Sequence, residues 1–328
     1  ARSKEVGLVI KVSNHSEYEI SKLKSVDRLA PLPAFDPALL RLMNFASQYY
    51  IHGLGETILP VIPQMWKKAD NWEKIPEKIA SAEKKNKKKS DEASEGLITL
   101  DQLNVDQKDA LQALLAEGKK EKQFRTILLQ GQTGSGKTAV YLNWLASILQ
   151  DESSQVLLLV PEINLTPQLE RRVRAYFPDK KMAVLHSGVS EKKRGIAWYE
   201  AMTGKAQIVL GTRLAALTPM PNLSAVVVDE EHDPSYKQQD GTRYSARDLA
   251  IWRAHDQKIP ILLSSATPSL ETWLAAQSGR YENIRLDQRA QGASLPSVHL
   301  INTRDPQNQF SPGDADKPKE KSLITKTL

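Results

Sequence analysis

The residues with the clearest chemistry form one glycine-rich run that ends in a lysine and a threonine, Gly131-Gln132-Thr133-Gly134-Ser135-Gly136-Lys137-Thr138. Glycines let the backbone turn its N–H groups around an oxyanion, and a helix that begins there adds positive partial charge. Lys137 would reach the β- and γ-phosphates of a nucleotide, and Thr138 would hold Mg²⁺. The run therefore predicts a phosphate-binding loop for a nucleotide; the alternative is a chance glycine-rich turn.

A second group of polar residues follows the apolar residues 226–228, in the order Asp229-Glu230-Glu231-His232-Asp233. In open α/β sheets, ligands bind at the carboxyl ends of the strands. We expect Asp229 to hold Mg²⁺ and Glu230 to position and polarise the water that attacks the γ-phosphate. His232 would link the state of the nucleotide to the rest of the domain. The alternative is an ordinary solvated acidic turn.

Two further segments carry candidate site residues. After the apolar residues 261–263 come small hydroxyl residues, of which Ser265 and Thr267 could hydrogen-bond to the acidic group and relay its state. The alternative is a plain strand-to-helix turn capped by Ser269. Ahead of the phosphate loop, Gln107 is a candidate to read an adenine base.

These residues need strands and helices to position them, and the pattern from residue 97 onward supplies both. The predicted strands are residues 126–130, 155–160, 182–185, 207–210, 225–228, 261–263 and 281–286. The predicted helices follow Lys137, Thr166, Ser190, Ser245 and Ser269. Strands that are almost wholly apolar and alternate with helices predict an α/β fold, with a parallel sheet covered by helices on both faces.

The N-terminal part of the chain has a different sequence pattern. Residues 6–12 alternate weakly and predict a strand, and residues 30–33 a linker. Residues 36–50 carry a broad apolar stripe that predicts a packed helix, with Asp36 as its cap and Pro37 in its first turn. Tyr49, Tyr50 and His52 are expected to pack rather than touch DNA.

Residues 67–96 are rich in lysine, serine and acidic residues and predict a flexible linker. Its lysine run either neutralises phosphates or is a solvated tether, and both interpretations stay open.

Composition narrows the class of protein. The chain has 328 residues and no cysteine, which excludes disulfides and thiolate metal sites within it. The 45 Lys and Arg against 39 Asp and Glu permit a nucleic-acid partner without requiring one. No apolar run is long enough to span a bilayer and no secretory signal opens the chain, so a cytoplasmic location without membrane contact is expected. The chain does not begin with Met, and we expect a fragment.

The order of the motifs resembles the first motor lobe of a superfamily 2 helicase, a P-loop NTPase lobe of the RecA-like type. It resembles most closely the primosomal protein N′ family, the replication-restart DNA helicases. The matching motifs, which lie within residues 97–300, are the phosphate loop, Pro161-Glu162-Ile163, His186-Ser187-Gly188, Gly211-Thr212-Arg213, Asp229-Glu230-Glu231-His232-Asp233, Ser235-Tyr236-Lys237-Gln238-Gln239, Arg243-Tyr244 and Ala246-Arg247-Asp248-Leu249-Ala250.

The resemblance implies a division of the chain. Residues 1–33 would be a remnant of a 3′-end DNA-binding domain and residues 34–66 part of a winged-helix region, together a small partial α/β DNA-binding region. Residues 67–96 would be the lysine-rich linker, residues 97–290 the first motor lobe, and residues 291–328 the start of a connection to a second lobe.

The same resemblance implies a 3′-to-5′ DNA helicase that uses ATP and Mg²⁺ at stalled forks. Lys137, Asp229 and Glu230 would carry catalysis, with His232, Ser265 and Thr267 coupling. DNA contacts fall to the loops at 161–168 and 211–213 and to an aromatic-rich loop at 236–244. The DNA residues implied are Pro161, Thr166, Gly211, Thr212, Arg213, Tyr236, Lys237, Arg243 and Tyr244. Expected partners are forked and single-stranded DNA, single-stranded DNA-binding protein and primosome components.

Several residues depart from the family pattern. Thr242 and Ser245 stand where a Trp and a His are expected in the aromatic-rich loop, Asn164 replaces a Gly, and Ala139 replaces a Glu. The second motor lobe with its arginine finger, and the cysteine-rich zinc-binding insertion, are not found in this chain. We therefore expect a chain that binds ATP but is a poor motor alone. The alternatives are another superfamily 2 DNA translocase, or a nucleic-acid-binding module with a vestigial nucleotide pocket.

Overall fold

A seven-stranded sheet organises the molecule. The computed structural model describes residues 6–74, 77, 79–80, 103–116 and 124–287. The strands are β1 (Thr126–Gly131), β2 (Gln155–Leu159), β3 (Met182–Leu185), β4 (Ile208–Gly211), β5 (Leu223–Asp229), β6 (Ile261–Ser265) and β7 (Glu282–Leu286). Their order across the sheet is β3-β4-β2-β5-β6-β1-β7, and every neighbouring pair is parallel.

The α/β class predicted from the sequence is confirmed, and all seven predicted strands are present. β5 begins at Leu223, two residues before its predicted start, and β6 continues through Ser264 and Ser265 beyond its predicted end. The reason is the ladder, since Asp229 pairs with Ser264 and Gln130 pairs with Ser265. Polar residues therefore occupy the last ladder positions, where they face the ligand edge of the sheet.

Helices cover both faces of this sheet, as the apolar strands require. They are α1 (Pro37–Tyr49), α2 (Leu54–Ile58), α3 (Val105–Ala116), α4 (Lys137–Ile148), α5 (Pro167–Tyr176), α6 (Glu191–Met202), α7 (Ala246–Gln257) and α8 (Leu270–Gln277). Short 3₁₀ turns lie at Ile20–Lys22, Leu59–Val61, Ala69–Lys74, Glu162–Asn164, Arg213–Leu217 and Pro234–Tyr236. The predicted helix starts are confirmed, and the side chains of Thr166, Ser245 and Ser269 cap α5, α7 and α8.

Two apolar clusters fill the space between the sheet and its helices. One contains Val140, Leu142 and Leu145 of α4, packed against β1 and β2. The other joins the opposite face of the sheet to α6, α7 and the N-terminal helix α1. None of the helices in the described part of the chain combines the length and apolarity that crossing a bilayer requires.

The predicted N-terminal helix is confirmed as α1. The carboxylate of Asp36 accepts a hydrogen bond from the backbone N–H of Ala38, and Pro37 occupies the first position of the helix. The helix packs on α7, where the rings of Phe45 and Trp252 stack with their centroids 4.5 Å apart.

The predicted strand at residues 6–12 is wrong. These residues form no strand, and Val9, Ile10 and Val12 are exposed. A strand needs hydrogen-bonded neighbours, and residues 6–74 contain no strand. The regular structure in this region is therefore helical only, and the α/β character predicted for it is wrong.

The predicted linker also begins too early. Trp72 is buried, and its indole N–H donates to the backbone carbonyl of Trp66 at 2.9 Å. The packed chain therefore continues at least to the turn Ala69–Lys74. The lysine run at residues 84–89 lies outside the described residues.

Candidate nucleotide site and its coupling network

The candidate site lies at the carboxyl ends of β1, β6 and β5. Gly131 ends β1, Ser265 ends β6 and Asp229 ends β5. Lys137 follows β1 and Asp229 ends β5, and β6 lies between these two strands. Neighbouring strands are about 4.8 Å apart, so the ends of β1 and β5 are roughly 10 Å apart, which leaves room for a metal-bound triphosphate.

The phosphate loop has the backbone that the sequence predicts. Gly134 and Gly136 have φ angles of +82° and +86°, a region that other residues rarely adopt. Gly136 is followed directly by α4, so the N–H groups at the start of this helix face the loop. These features fit the phosphates of a nucleotide. The side chain of Thr133 is exposed, and that of Ser135 is buried.

Lys137 is buried at the start of α4. Its ammonium donates to the carbonyl of Gly131 at 2.8 Å and to that of Gln132 at 3.3 Å. These contacts hold the charge inside the loop, where it would meet the phosphate oxygens. Thr138 is half-buried beside it, and its role as a ligand of Mg²⁺ stays a prediction.

Gln107 is fixed to the phosphate loop. Its side-chain amide donates to the carbonyl of Ser135 at 2.8 Å, and its side-chain oxygen accepts from the N–H of Asn104 at 3.1 Å. The side chain is buried. Gln107 thus ties α3 to the loop, and the adenine contact stays a prediction.

Asp229 is half-buried and is held by two tyrosines. The hydroxyl of Tyr141 donates to its carboxylate at 3.2 Å, and the hydroxyl of Tyr236 donates to its backbone carbonyl at 2.6 Å. Burial raises the pKa of Asp229 above its ordinary value, and the positive charge of Lys137 opposes this rise. A bound divalent cation would favour the ionised carboxylate that burial disfavours.

Tyr141 was missed by the sequence reasoning. It lies in α4 one turn after Lys137, which is the spacing that puts two side chains on the same face of a helix. Its ring is buried. That spacing is the signal that could have found it.

Glu230 sits on strained backbone. Its φ angle is +45°, and only Ile51 and Lys258 share a positive φ among the other non-glycine residues that the structure describes. Such a conformation costs about 1–2 kcal/mol in a residue with a Cβ. This conformation turns the chain sharply after Asp229. The carboxylate of Glu230 lies 3.7 Å from Nδ1 of His232.

The predicted coupling residues lie together. His232 Nδ1 is 2.8 Å from the hydroxyl of Ser265, and its Nε2 is 3.3 Å from the hydroxyl of Thr267. Both ring nitrogens therefore contact the segment after β6. The contacts are those that a relay between the two segments requires.

Glu231 is a second residue whose role the sequence did not reveal. Its buried carboxylate accepts from the guanidinium of Arg247 at 3.0 Å and from the N–H of Ser269 at 2.7 Å. The hydroxyl of Thr272 adds a third donor at 3.0 Å. This carboxylate fastens the end of β5 to α7 and α8.

The predicted DNA loops differ in what they expose. Gly211 has no room for a side chain, since a Cβ there would lie 2.5 Å from the carbonyl of Leu185. Pro161 and Thr212 are buried, and the hydroxyl of Thr166 caps α5. Arg213 is partly exposed, with its guanidinium 3.3 Å from the carbonyl of Ser235. Of these five, Arg213 is therefore the residue best placed to meet a phosphate.

The predicted DNA contacts of Tyr236 and Tyr244 do not fit this conformation. Both side chains are buried, with 2% and 5% of their surface exposed. Tyr236 is held by Asp229, and the backbone of Tyr244 pairs with Gln238. Lys237 and Arg243, on the same loop, are exposed and remain candidates for phosphate contacts.

The strain at Glu230 generates a prediction about stability. Replacing Glu230 by Gly should give a more stable chain than replacing it by Ala, by about 1 kcal/mol, because Gly adopts positive φ without steric cost. Urea unfolding of the two variants measures the difference.

A matched pair at Glu170 in α5 supplies the control. At Glu170 the Gly variant should be less stable than the Ala variant, since Gly in a helix destabilises the chain relative to Ala. An Ala variant at Glu230 that equals or exceeds the Gly variant would show that the backbone is not strained.

Comparison with known proteins agrees with this geometry. A family model described as "DEAD/DEAH box helicase" matches residues 104–274, and one described as "3′DNA-binding domain (3′BD)" matches residues 1–63. The replication restart protein PriA of Haemophilus influenzae is 34% identical over 361 residues, covering 91% of this chain and 48% of that protein. The protein of the same name from Chlamydia pneumoniae is 41% identical over 201 residues, covering 61% of this chain and 26% of that protein.

Among solved structures, RecG bound to a three-way DNA junction is 20% identical with a TM-score of 0.43, covering 78% of this chain and 30% of that chain. The chain spans less than half the length of the two curated relatives described above. The helicase model nevertheless matches more than half of the 328 residues. The chain therefore belongs to the DEAD/DEAH box helicase family, and the two curated relatives described above are replication restart proteins.

Proposed function

We propose that this chain is the ATP-binding motor lobe, with part of the 3′-end DNA-binding region, of a replication-restart DNA helicase. The observation that supports this most directly is the arrangement of Lys137, Thr138 and Asp229 along one edge of the sheet. Lys137 and the loop N–H groups would bind the phosphates, and Thr138 and Asp229 would hold Mg²⁺. The metal would neutralise charge that develops on the phosphates during hydrolysis.

Glu230 would orient the attacking water in this proposal. The turn at Glu230 places its carboxylate beyond the end of β5, beside His232. His232 in turn contacts Ser265 and Thr267, so a change at the nucleotide would reach the segment after β6. Lys137, Asp229 and Glu230 are all present, which argues against a vestigial nucleotide pocket.

The substrate proposed is forked and single-stranded DNA, moved 3′ to 5′. Exposed Lys237 and Arg243, with partly exposed Arg213, would contact phosphates near the same edge of the sheet. Single-stranded DNA-binding protein and primosome components are proposed partners, on the strength of the family resemblance and of the relatives' printed name.

Nucleotide binding tests the pocket. Lys137→Ala should lower the affinity for a fluorescent ATP analogue with Mg²⁺ at least about tenfold, because a charge-assisted hydrogen bond to a phosphate is lost. Lys180→Ala is the matched control, since Lys180 lies just before β3, the outermost strand on the side of the sheet away from β1. Equal affinities for the wild-type chain and Lys137→Ala would remove the pocket assignment.

Turnover tests the proposal that this lobe is a poor motor by itself. An arginine finger from a second lobe contributes about a thousandfold or more to phosphoryl transfer, and the family resemblance implies that this group belongs to the second lobe. We expect ATP binding with slow hydrolysis that DNA stimulates little. Phosphate release by the purified chain, with and without forked DNA, measures this; robust DNA-stimulated turnover contradicts it.

Salt dependence tests the DNA contacts. Binding to forked DNA should weaken steeply as salt rises, because phosphate contacts release counterions. Lys237→Ala and Arg243→Ala should each reduce the slope of log affinity against log salt by about 1, whereas Lys180→Ala leaves it unchanged. An affinity indifferent to salt would exclude phosphate-dominated binding.

A further inference from the structure

One hydrogen bond joins the N-terminal region to the loop beside the nucleotide site. The backbone N–H of Ser245 donates to the hydroxyl oxygen of Tyr50 at 3.0 Å. Tyr50 directly follows α1 as its C-terminal cap and lies within the residues matched by the 3′ DNA-binding domain model. Ser245 is the capping residue of α7 and follows directly on the loop of residues 236–244.

That loop is a closed clip. The N–H of Gln238 donates to the carbonyl of Tyr244 at 2.8 Å, and Lys237 pairs with Ser245 in an antiparallel bridge. The two ends of the loop are therefore fixed to each other, and displacement of Ser245 moves the residues next to Tyr236.

Tyr236, the first residue of the clip, contacts Asp229. The buried hydroxyl of Tyr236 donates to the backbone carbonyl of Asp229 at 2.6 Å. Ser235, next to it, accepts from the guanidinium of Arg213 at 3.3 Å. Tyr236 thus contacts the backbone of the proposed Mg²⁺ residue, and Ser235, just before the clip, contacts a proposed DNA arginine. Tyr50 contacts the residue that follows the clip.

Other contacts between α1 and α7 lie away from the clip. Arg41 makes a two-pronged ion pair with Asp256, with N–O distances of 2.9–3.2 Å. Asp256 lies eleven residues after Ser245 in the sequence, which is about 16 Å along a helix. This pair attaches α1 to the lobe without touching the clip.

We propose that Tyr50 is a positioning residue that transmits the state of the N-terminal DNA-binding region to the Asp229 end of β5. DNA that shifts α1 makes or breaks the bond between Tyr50 and Ser245, and the clip carries the change to Tyr236 and Asp229. The inference rests on the proposed function, because it needs a chain that binds both nucleotide and DNA.

The test measures coupling rather than turnover. Affinity for a fluorescent ATP analogue with Mg²⁺ is measured with and without saturating forked DNA, and the ratio is the coupling factor. Coupling between sites is typically about fivefold or more. Tyr50→Phe keeps the ring and removes the hydroxyl oxygen. The coupling factor should therefore fall about fivefold, which is the value of one hydrogen bond. If the wild-type coupling factor is below about five, it should fall to one. Affinities for nucleotide alone and for DNA alone should stay within about twofold.

Arg41→Ala is the control, because it removes a contact between the same two helices but leaves the clip intact. It should keep the wild-type coupling factor. An unchanged factor in Tyr50→Phe overturns the inference, and so does an equal loss in Arg41→Ala, which would show simple attachment. A wild-type chain that binds both ligands without coupling also overturns it. Failure of the wild-type chain to bind nucleotide or DNA at all would instead refute the proposed function.

Discussion

The structure depends on the parallel ladder formed by β5, β6 and β1. Parallel strands align their carboxyl ends, so residues far apart in the sequence meet at one edge. The pairs Asp229 with Ser264 and Gln130 with Ser265 fix this alignment. A slip of one residue in the ladder would turn the side chain of Asp229 to the other face of the sheet. Because the interior residues of these strands are buried and apolar, a slip that drew Asp229 into the interior would bury its carboxylate, and this cost opposes the slip.

The site adds two acidic residues to this frame, Glu231 and Asp229, and both have hydrogen-bond partners. The carboxylate of Glu231 receives bonds from Arg247, Ser269 and Thr272, while Tyr141 and Tyr236 hold Asp229. A buried polar network of this kind rigidifies its surroundings only when it is fully bonded. The consequence is a site whose acidic residues hold fixed positions before any ligand arrives, at the cost of strain at Glu230.

The sequence predicted the frame well because its signals are local. Apolar runs between helix caps identified all seven strands, and the phosphate loop and acidic motif located both halves of the site. The predictions that failed concern features that tertiary packing decides. Residues 6–12 look like a strand but have no partner to pair with in the described structure. Tyr236 and Tyr244 were predicted to contact DNA, yet both rings are buried in the folded loop. Tyr141 carries no motif of its own, and only helical spacing connects it to Lys137.

The central claim is that Asp229 and Lys137, whose segments are separated by β6, both bind the same metal-bound triphosphate. The most direct measurement is the affinity of Asp229→Asn for a fluorescent ATP analogue, in excess Mg²⁺ and in excess chelator. The wild-type chain should bind more tightly with Mg²⁺, whereas the variant should bind equally in both conditions, with an affinity near that of the metal-free wild type. A variant that keeps the full Mg²⁺ enhancement would contradict the account, because the metal would then be held elsewhere.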